Sequence, residues 1–211
     1  MKHILKQPEP QQFRDWKLLK NEDWQPSWDN LSGPVKENLR NSLRTEQGDI
    51  CCYCERRLSD SDLHIEHLQP QSDSAVDPLE YANLLCSCQS NLKKGEPRHC
   101  GNLKGSWYDA HLLVSPLDPM CEQRFSYTAD GAMRPTNEDD SGAAETIMRL
   151  GLDIPKLKDL RAKTIEPFLA ESLSPEELQT FVSGYLRKDT EGRYGEFWTT
   201  IRHVFEGYIV A

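Results

Sequence analysis

Residues 51–71 read CCYCERRLSDSDLHIEHLQPQ, and the Cys51-x-x-Cys54 pair at the front constrains the fold more than any other feature of the chain. A turn of that spacing aims two thiolates at one tetrahedral ion, at about 2.3 Å. Two sulfurs do not close such a site, so the chain must bring others from a distance. The stretch NLLCSCQSNLKKGEPRHCGN offers three, Cys86, Cys88 and Cys100. With seven cysteines in all, two of Cys86, Cys88 and Cys100 complete a four-thiolate set, and the third is surplus along with Cys52 and Cys121. Surplus thiols are read as small buried hydrophobes. The opening MKHILKQPEPQQFRDWK has no apolar signal core, so the chain is expected in the reducing cytoplasm, where clustered thiols hold metal. A site of four sulfurs is closed: it staples a fold and does no chemistry.

The neighbouring LHIEHLQP differs in kind. Leu63, Ile65 and the histidines alternate as in a strand, and Pro70 bars a long continuation. Strand parity puts His64 and Glu66 on one face and His67 on the other. The helical zinc-protease pattern needs histidines four apart, whereas these are three apart with Glu66 between them. Glu66 is a hard oxygen ligand suited to Mg²⁺ or Mn²⁺. His67 can be neutral near pH 7 and take a proton from water. Together they suit phosphodiester hydrolysis, although such a tripeptide alone is more often structural than catalytic.

Charge argues the other way. The formal net charge of the 211 residues is −9, which repels nucleic acid unless a local basic patch, a metal or a partner offsets it. Lys93, Lys94, Arg98 and Lys104 supply one candidate patch. The terminal helices show no basic stripe and are expected to bind protein. No apolar run approaches a membrane span.

Three regions follow from the patterning. Residues 1–48 form a lead segment with short helices: Val35, Leu39 and Leu43 recur at helical spacing after Pro34. Residues 49–108 hold most of the cysteines and the HIEH cluster. Residues 109–211 begin with a hairpin, FSYTADGAMRP, turning at Asp130–Gly131. Helices follow, capped at Asp140 or Ser141 and by a Ser174/Glu177 capping box. One of them places Leu157, Leu160, Ile165 and Leu169 on a common face, ended or kinked at Pro167.

In sum, Cys-x-x-Cys, IEHLQP, NLLCSC and CGNLKG resemble the HNH nuclease family. The resemblance implies an α+β fold: a small ββα-metal core with a four-cysteine zinc staple, flanked by helical segments. It selects Cys88, five residues after Asn83, so that Cys51, Cys54, Cys88 and Cys100 hold structural Zn²⁺. His67 then looks like the general base and Glu66 like a ligand of a catalytic Mg²⁺ or Mn²⁺, while Asn83 braces the loop that carries His67. Asn102 is the first candidate for the second catalytic-metal ligand. Gly101, however, stands where the family usually has Asn or His, so His64 or His99 can serve instead. Over most of its length the chain is similar to the HNH effectors of Septu-type antiviral systems (PtuB-like), also found beside retrons. This narrower likeness implies a nucleic-acid substrate, DNA by expectation, and an ABC-type ATPase partner (PtuA-like) bound through residues 109–211. A reading from another class is a non-catalytic, zinc-stapled adaptor that recruits partners.

Overall fold

The computed structural model describes residues 1–170 and 172–209. The chain opens with α1 (Gln11–Leu18) and α2 (Gly33–Glu46). Pro10 precedes α1 and Pro34 lies in the first turn of α2, where a missing N–H costs nothing. Leu39 and Leu43 are fully buried at successive turns of α2. Beyond α2, Gly48 takes φ +63° with its Cα against the Tyr194 ring, a space that any side chain would fill. Buried Gln47 joins three segments: its amide donates to the Ile50 and Cys86 carbonyls and accepts from the Cys86 N–H, at 2.7–2.9 Å.

Two antiparallel strands, β1 (Leu63–His67) and β2 (Leu84–Cys88), pair with Leu63 opposite Cys88 and His67 opposite Leu84. A single helical turn, α3 (Gly101–Lys104), packs on β2. The second sheet is the hairpin of β3 (Phe125–Tyr127) and β4 (Met133–Pro135), with Gly131 at φ +82° in its turn. Then come α4 (Ser141–Arg149), α5 (Pro155–Ile165), α6 (Pro175–Leu186) and α7 (Trp198–Val204). The described residues are thus mixed α and β, with two small two-stranded sheets among them. No helix of the described residues is long and apolar enough to cross a membrane.

One apolar core runs from Met1 through both sheets to Leu157, and a smaller cluster of Ile165, Phe168, Val182, Ile201 and Phe205 closes the C-terminal helices. Asp140 caps α4, its carboxylate accepting from the Ala143 N–H at 2.9 Å, and the Ser174/Glu177 box caps α6. The periodic reading of residues 157–169 fails at its end. Pro167 tightens the chain into a 3-10 turn over Glu166–Leu169. Leu169 therefore leaves the apolar face and is 55% exposed.

Glu55, wholly inside, ties Met1 to α7. Its carboxylate pairs with the Met1 ammonium at 2.9 Å and accepts from the Thr199 N–H at 2.8 Å and from the Thr199 hydroxyl. Burial alone would lower the Met1 amine, but the Glu55 charge and the Tyr127 hydroxyl hold it raised at about 11. Glu55→Ala strands that cation, and breaking a buried pair from one side typically costs about 3–5 kcal/mol. A urea titration should show a loss of that size; a loss below about 1 kcal/mol would count against the pair.

Candidate metal centre and active site

The sulfurs of Cys51, Cys54, Cys88 and Cys100 all lie within 4.8 Å of one another, and all four residues are buried. Cys51 and Cys54 sit in a tight turn closed by the Glu55 N–H on the Cys51 carbonyl (3.1 Å) and the Cys51 N–H on the Arg56 carbonyl (2.8 Å). The residue after each second cysteine, Glu55 at φ +64° and Gln89 at φ +69°, is left-handed and turns the chain back over the cluster. Cys100 is more strained still, at φ +55° and ψ −142°. That region is close to glycine-only and costs on the order of 1–3 kcal/mol. A hydrogen bond from the Cys100 N–H to the Leu150 carbonyl, at 2.7 Å, helps hold it there.

The geometry fits a tetrahedral ion. Four bonds of about 2.3 Å put sulfurs roughly 3.8 Å apart, and Cys54 Sγ lies 3.7 Å from Cys88 Sγ. Burial raises a thiol's pKa, yet hydrogen bonds from the neighbouring thiols outweigh it at Cys51 and hold that group well below its usual value. The three surplus cysteines are buried and free. Cys86 turns to the Arg40 carbonyl, at 3.7 Å, and Cys121 to the Met1 carbonyl, at 3.7 Å.

The His-Glu-His segment makes a second, separate group. As i and i+2 on β1, His64 and Glu66 share a face, with His64 Nε2 3.3 Å from Glu66 Oε2. The other carboxylate oxygen, Oε1, takes the Lys104 ammonium at 2.9 Å and the Tyr53 hydroxyl at 3.2 Å. Lys104 is itself buried and donates on to the His67 carbonyl at 3.0 Å, joining α3 to the end of β1. Burial pushes the Glu66 carboxyl up, but the His64 ring and the Lys104 charge together hold it below the usual range. Gly101 makes this packing possible, because a Cβ there would collide with the Glu66 carboxylate and the His64 ring.

His67 is held on every side. Its Nε2 lies 3.0 Å from the Pro78 carbonyl. A carbonyl only accepts, so Nε2 carries the proton and Nδ1 keeps its lone pair. Nδ1 faces the Gln71 side-chain amide at 3.1 Å. The edge of Trp28 packs on the ring, with centroids 4.4 Å apart. Burial holds the His67 pKa below its usual value, and the Pro78 hydrogen bond only partly opposes this, so the ring is neutral at pH 7. Two residues further on, Asn83 grips the backbone of Gln69 twice: Oδ1 accepts from its N–H at 2.8 Å and Nδ2 donates to its carbonyl at 2.9 Å.

The three candidates for the second ligand of the Glu66 site part company. His64 stands beside Glu66. Asn102 instead donates its amide to the Gln89 carbonyl, at 2.6 Å. His99 is fully buried against the sulfurs, with Nδ1 3.1 Å from Cys100 Sγ and 3.8 Å from Cys88 Sγ. Lys104 also leaves the proposed basic patch, being sealed under Glu66, while Lys93, Lys94 and Arg98 are exposed. Sequence reasoning passed over Tyr53, Gln71 and Pro78 as partners of the site. Only Gly101 and Lys104 left a trace, through the CGNLKG stretch.

The comparisons with known proteins bear on what such a pair of sites is for. Over 139 residues the chain is 33% identical to a protein of Vibrio cholerae serotype O1 biovar El Tor named "Retron Vc95 putative HNH endonuclease". The match covers 63% of this chain and 65% of that protein, so the chain spans just under two thirds of the curated relative. No protein-family model matches the chain.

Proposed function

We propose that the chain is a metal-dependent HNH endonuclease that hydrolyses phosphodiester bonds in nucleic acid, with DNA as the expected substrate. In this reading β1, β2 and α3 are its ββα-metal core. One observation carries it: His64, Glu66 and His67 stand apart from the four sulfurs, as a carboxylate–imidazole pair beside a neutral histidine of defined tautomer. The sulfur cluster is then the structural Zn²⁺ site. Glu66 and His64 would hold the catalytic ion. Their 3.3 Å separation is close to the roughly 3 Å expected between neighbouring ligands of an octahedral ion with bonds near 2.1 Å. A bound Mg²⁺ or Mn²⁺ would supply charge stabilisation to the phosphate and to the departing 3′ oxygen.

The protein's own groups do the rest. His67 Nδ1, released from Gln71, accepts a proton from water as that water's oxygen bonds to phosphorus and the bond to the 3′ oxygen breaks. The departing 3′ oxygen takes a proton from solvent water, and the products carry 5′-phosphate and 3′-hydroxyl ends. The Pro78 carbonyl keeps the His67 proton on Nε2, so the basic nitrogen is always the one presented to the water. Asn83 fixes the loop after His67, and Lys104 fixes the distance between Glu66 and the His67 backbone. Such tethering is how a scaffold holds a base within reach of its proton.

A Septu-type or retron-associated defence complex with a PtuA-like ABC-type ATPase is the proposed setting. Support comes from the sequence likeness and from the retron in the relative's name. A partner would also offset the net charge of −9.

His64→Ala is the cleanest test of the metal assignment, since His64 is 31% exposed and its loss leaves Glu66 paired with Lys104. Plasmid cleavage in a Mg²⁺ or Mn²⁺ titration should need at least about tenfold more metal, the low end of the effect of losing metal-site support, while zinc content stays unchanged. An unaltered metal titration would remove His64 from the site.

A further inference from the structure

A groove of about 620 Å³ runs along the outer side of β1, lined by Leu63, His64 and Ile65 on one wall and by Trp28, Lys36 and Arg40 on the other. The second wall belongs chiefly to α2, where Lys36, Arg40 and Arg44 recur at i, i+4 and i+8, a basic stripe within a strongly acidic chain. Arg44 is already spent on Asp49 and Asp60. Among the described residues, Lys36 and Arg40 have no carboxylate partner, and Arg40 Nε is buried without any hydrogen-bond partner. Lys36 lies over the Trp28 ring, 5.3 Å from its centroid, and the same ring packs on His67. Among the described residues, Glu37, exposed on the rim, is the one carboxylate lining the groove.

We infer that this groove is the substrate channel: α2 holds the phosphates of one nucleic-acid strand, through Arg40 and Lys36, as that strand passes His64. The inference rests on the nuclease reading and adds to it which face of the chain meets the substrate. Phosphate suits this wall for two reasons. Two unpaired cations one helical turn apart can engage backbone phosphates without reading bases. The groove is also continuous with the imidazole of His64, so a strand held there passes the Glu66–His64 pair. The exposed loop with Lys93, Lys94 and Arg98 lines no part of it.

The experiment measures binding of a fluorescein-labelled DNA duplex to the full-length, zinc-loaded chain by anisotropy over a salt series, with Ca²⁺ in place of the catalytic ion. Cleavage of the same duplex is measured in Mn²⁺. Lys36→Gln and Arg40→Gln should each lower the slope of log affinity against log salt by about 1, the signature of one lost phosphate contact. Glu37→Gln should tighten binding, an effect that damage to the helix cannot imitate. Lys93→Gln should change little. If the wild-type chain binds and cleaves DNA while the α2 variants keep its slope, or if Lys93→Gln alone lowers it, the groove is overturned and the nuclease stands. If the wild-type chain neither binds nor cleaves, the nuclease reading falls and the groove falls with it.

Discussion

Cys54→Ser is expected to cost the protein its zinc and, with it, its central fold. The four sulfurs come from three separate segments, the Cys51–Cys54 turn, the end of β2 and the residue before α3. Cys100 is further tied to the end of α4 through the Leu150 carbonyl. A structural zinc contributes about 10–16 kcal/mol in small thiolate sites, comparable with the whole stability of a typical domain, about 5–15 kcal/mol. Without the ion, the strained backbone at Cys100 and four thiols packed within 4.8 Å keep only hydrogen bonds as a counterweight. Far-ultraviolet circular dichroism and metal analysis of Cys54→Ser should show a zinc-free, largely unfolded chain, whereas Cys86→Ala should retain both zinc and fold. A Cys54→Ser chain that melts cooperatively at the wild-type temperature would show that the cluster is not a staple.

His67→Ala should abolish cleavage and leave the zinc in place. A positioned general base contributes about 10²- to 10⁴-fold to rate, and no second imidazole stands where His67 stands: His64 faces Glu66 and His99 faces the sulfurs. The folded state loses the packing against Trp28 and the Pro78 hydrogen bond, a change of roughly 1–3 kcal/mol by the usual run of buried substitutions. Added imidazole should restore part of the rate, since the cavity left under Trp28 admits a ring and the Pro78 carbonyl would orient it. Undiminished cleavage by His67→Ala would move the account to the zinc-stapled adaptor.

What the sequence made legible follows from the range of each signal. The Cys51–Cys54 turn, the strand parity that pairs His64 with Glu66, the Asp130–Gly131 turn and the Ser174/Glu177 cap all depend on neighbours within four residues, and local chemistry determines them. Choosing Cys88 over Cys86 needed more, because both lie on the same face of β2 by parity; there the resemblance to the HNH family, through the position of Cys88 relative to Asn83, carried the decision. What escaped was long-range or depended on a break in regularity. Leu169 looked periodic, but the proline two residues before it changes the helix type. Asn102 was chosen by its distance from Cys100, and nothing in that distance reveals that the Gln89 carbonyl lies within reach of its amide. Lys104 looked like a free cation, and only the packing of α3 against β1 makes it the buried partner of Glu66. The stripe of Lys36 and Arg40 was in plain view, but it gains meaning only once α2 is set beside His64.

The decisive measurement is zinc K-edge absorption spectroscopy on the purified full-length chain, repeated on His64→Ala and His67→Ala. Four sulfurs at about 2.3 Å, in spectra identical for all three proteins, are the predicted result, since the proposal gives His64 to a different ion and His67 to none. A nitrogen shell near 2.0 Å that either histidine substitution removes would mean that one metal serves both groups, and the separation on which the nuclease reading stands would be gone.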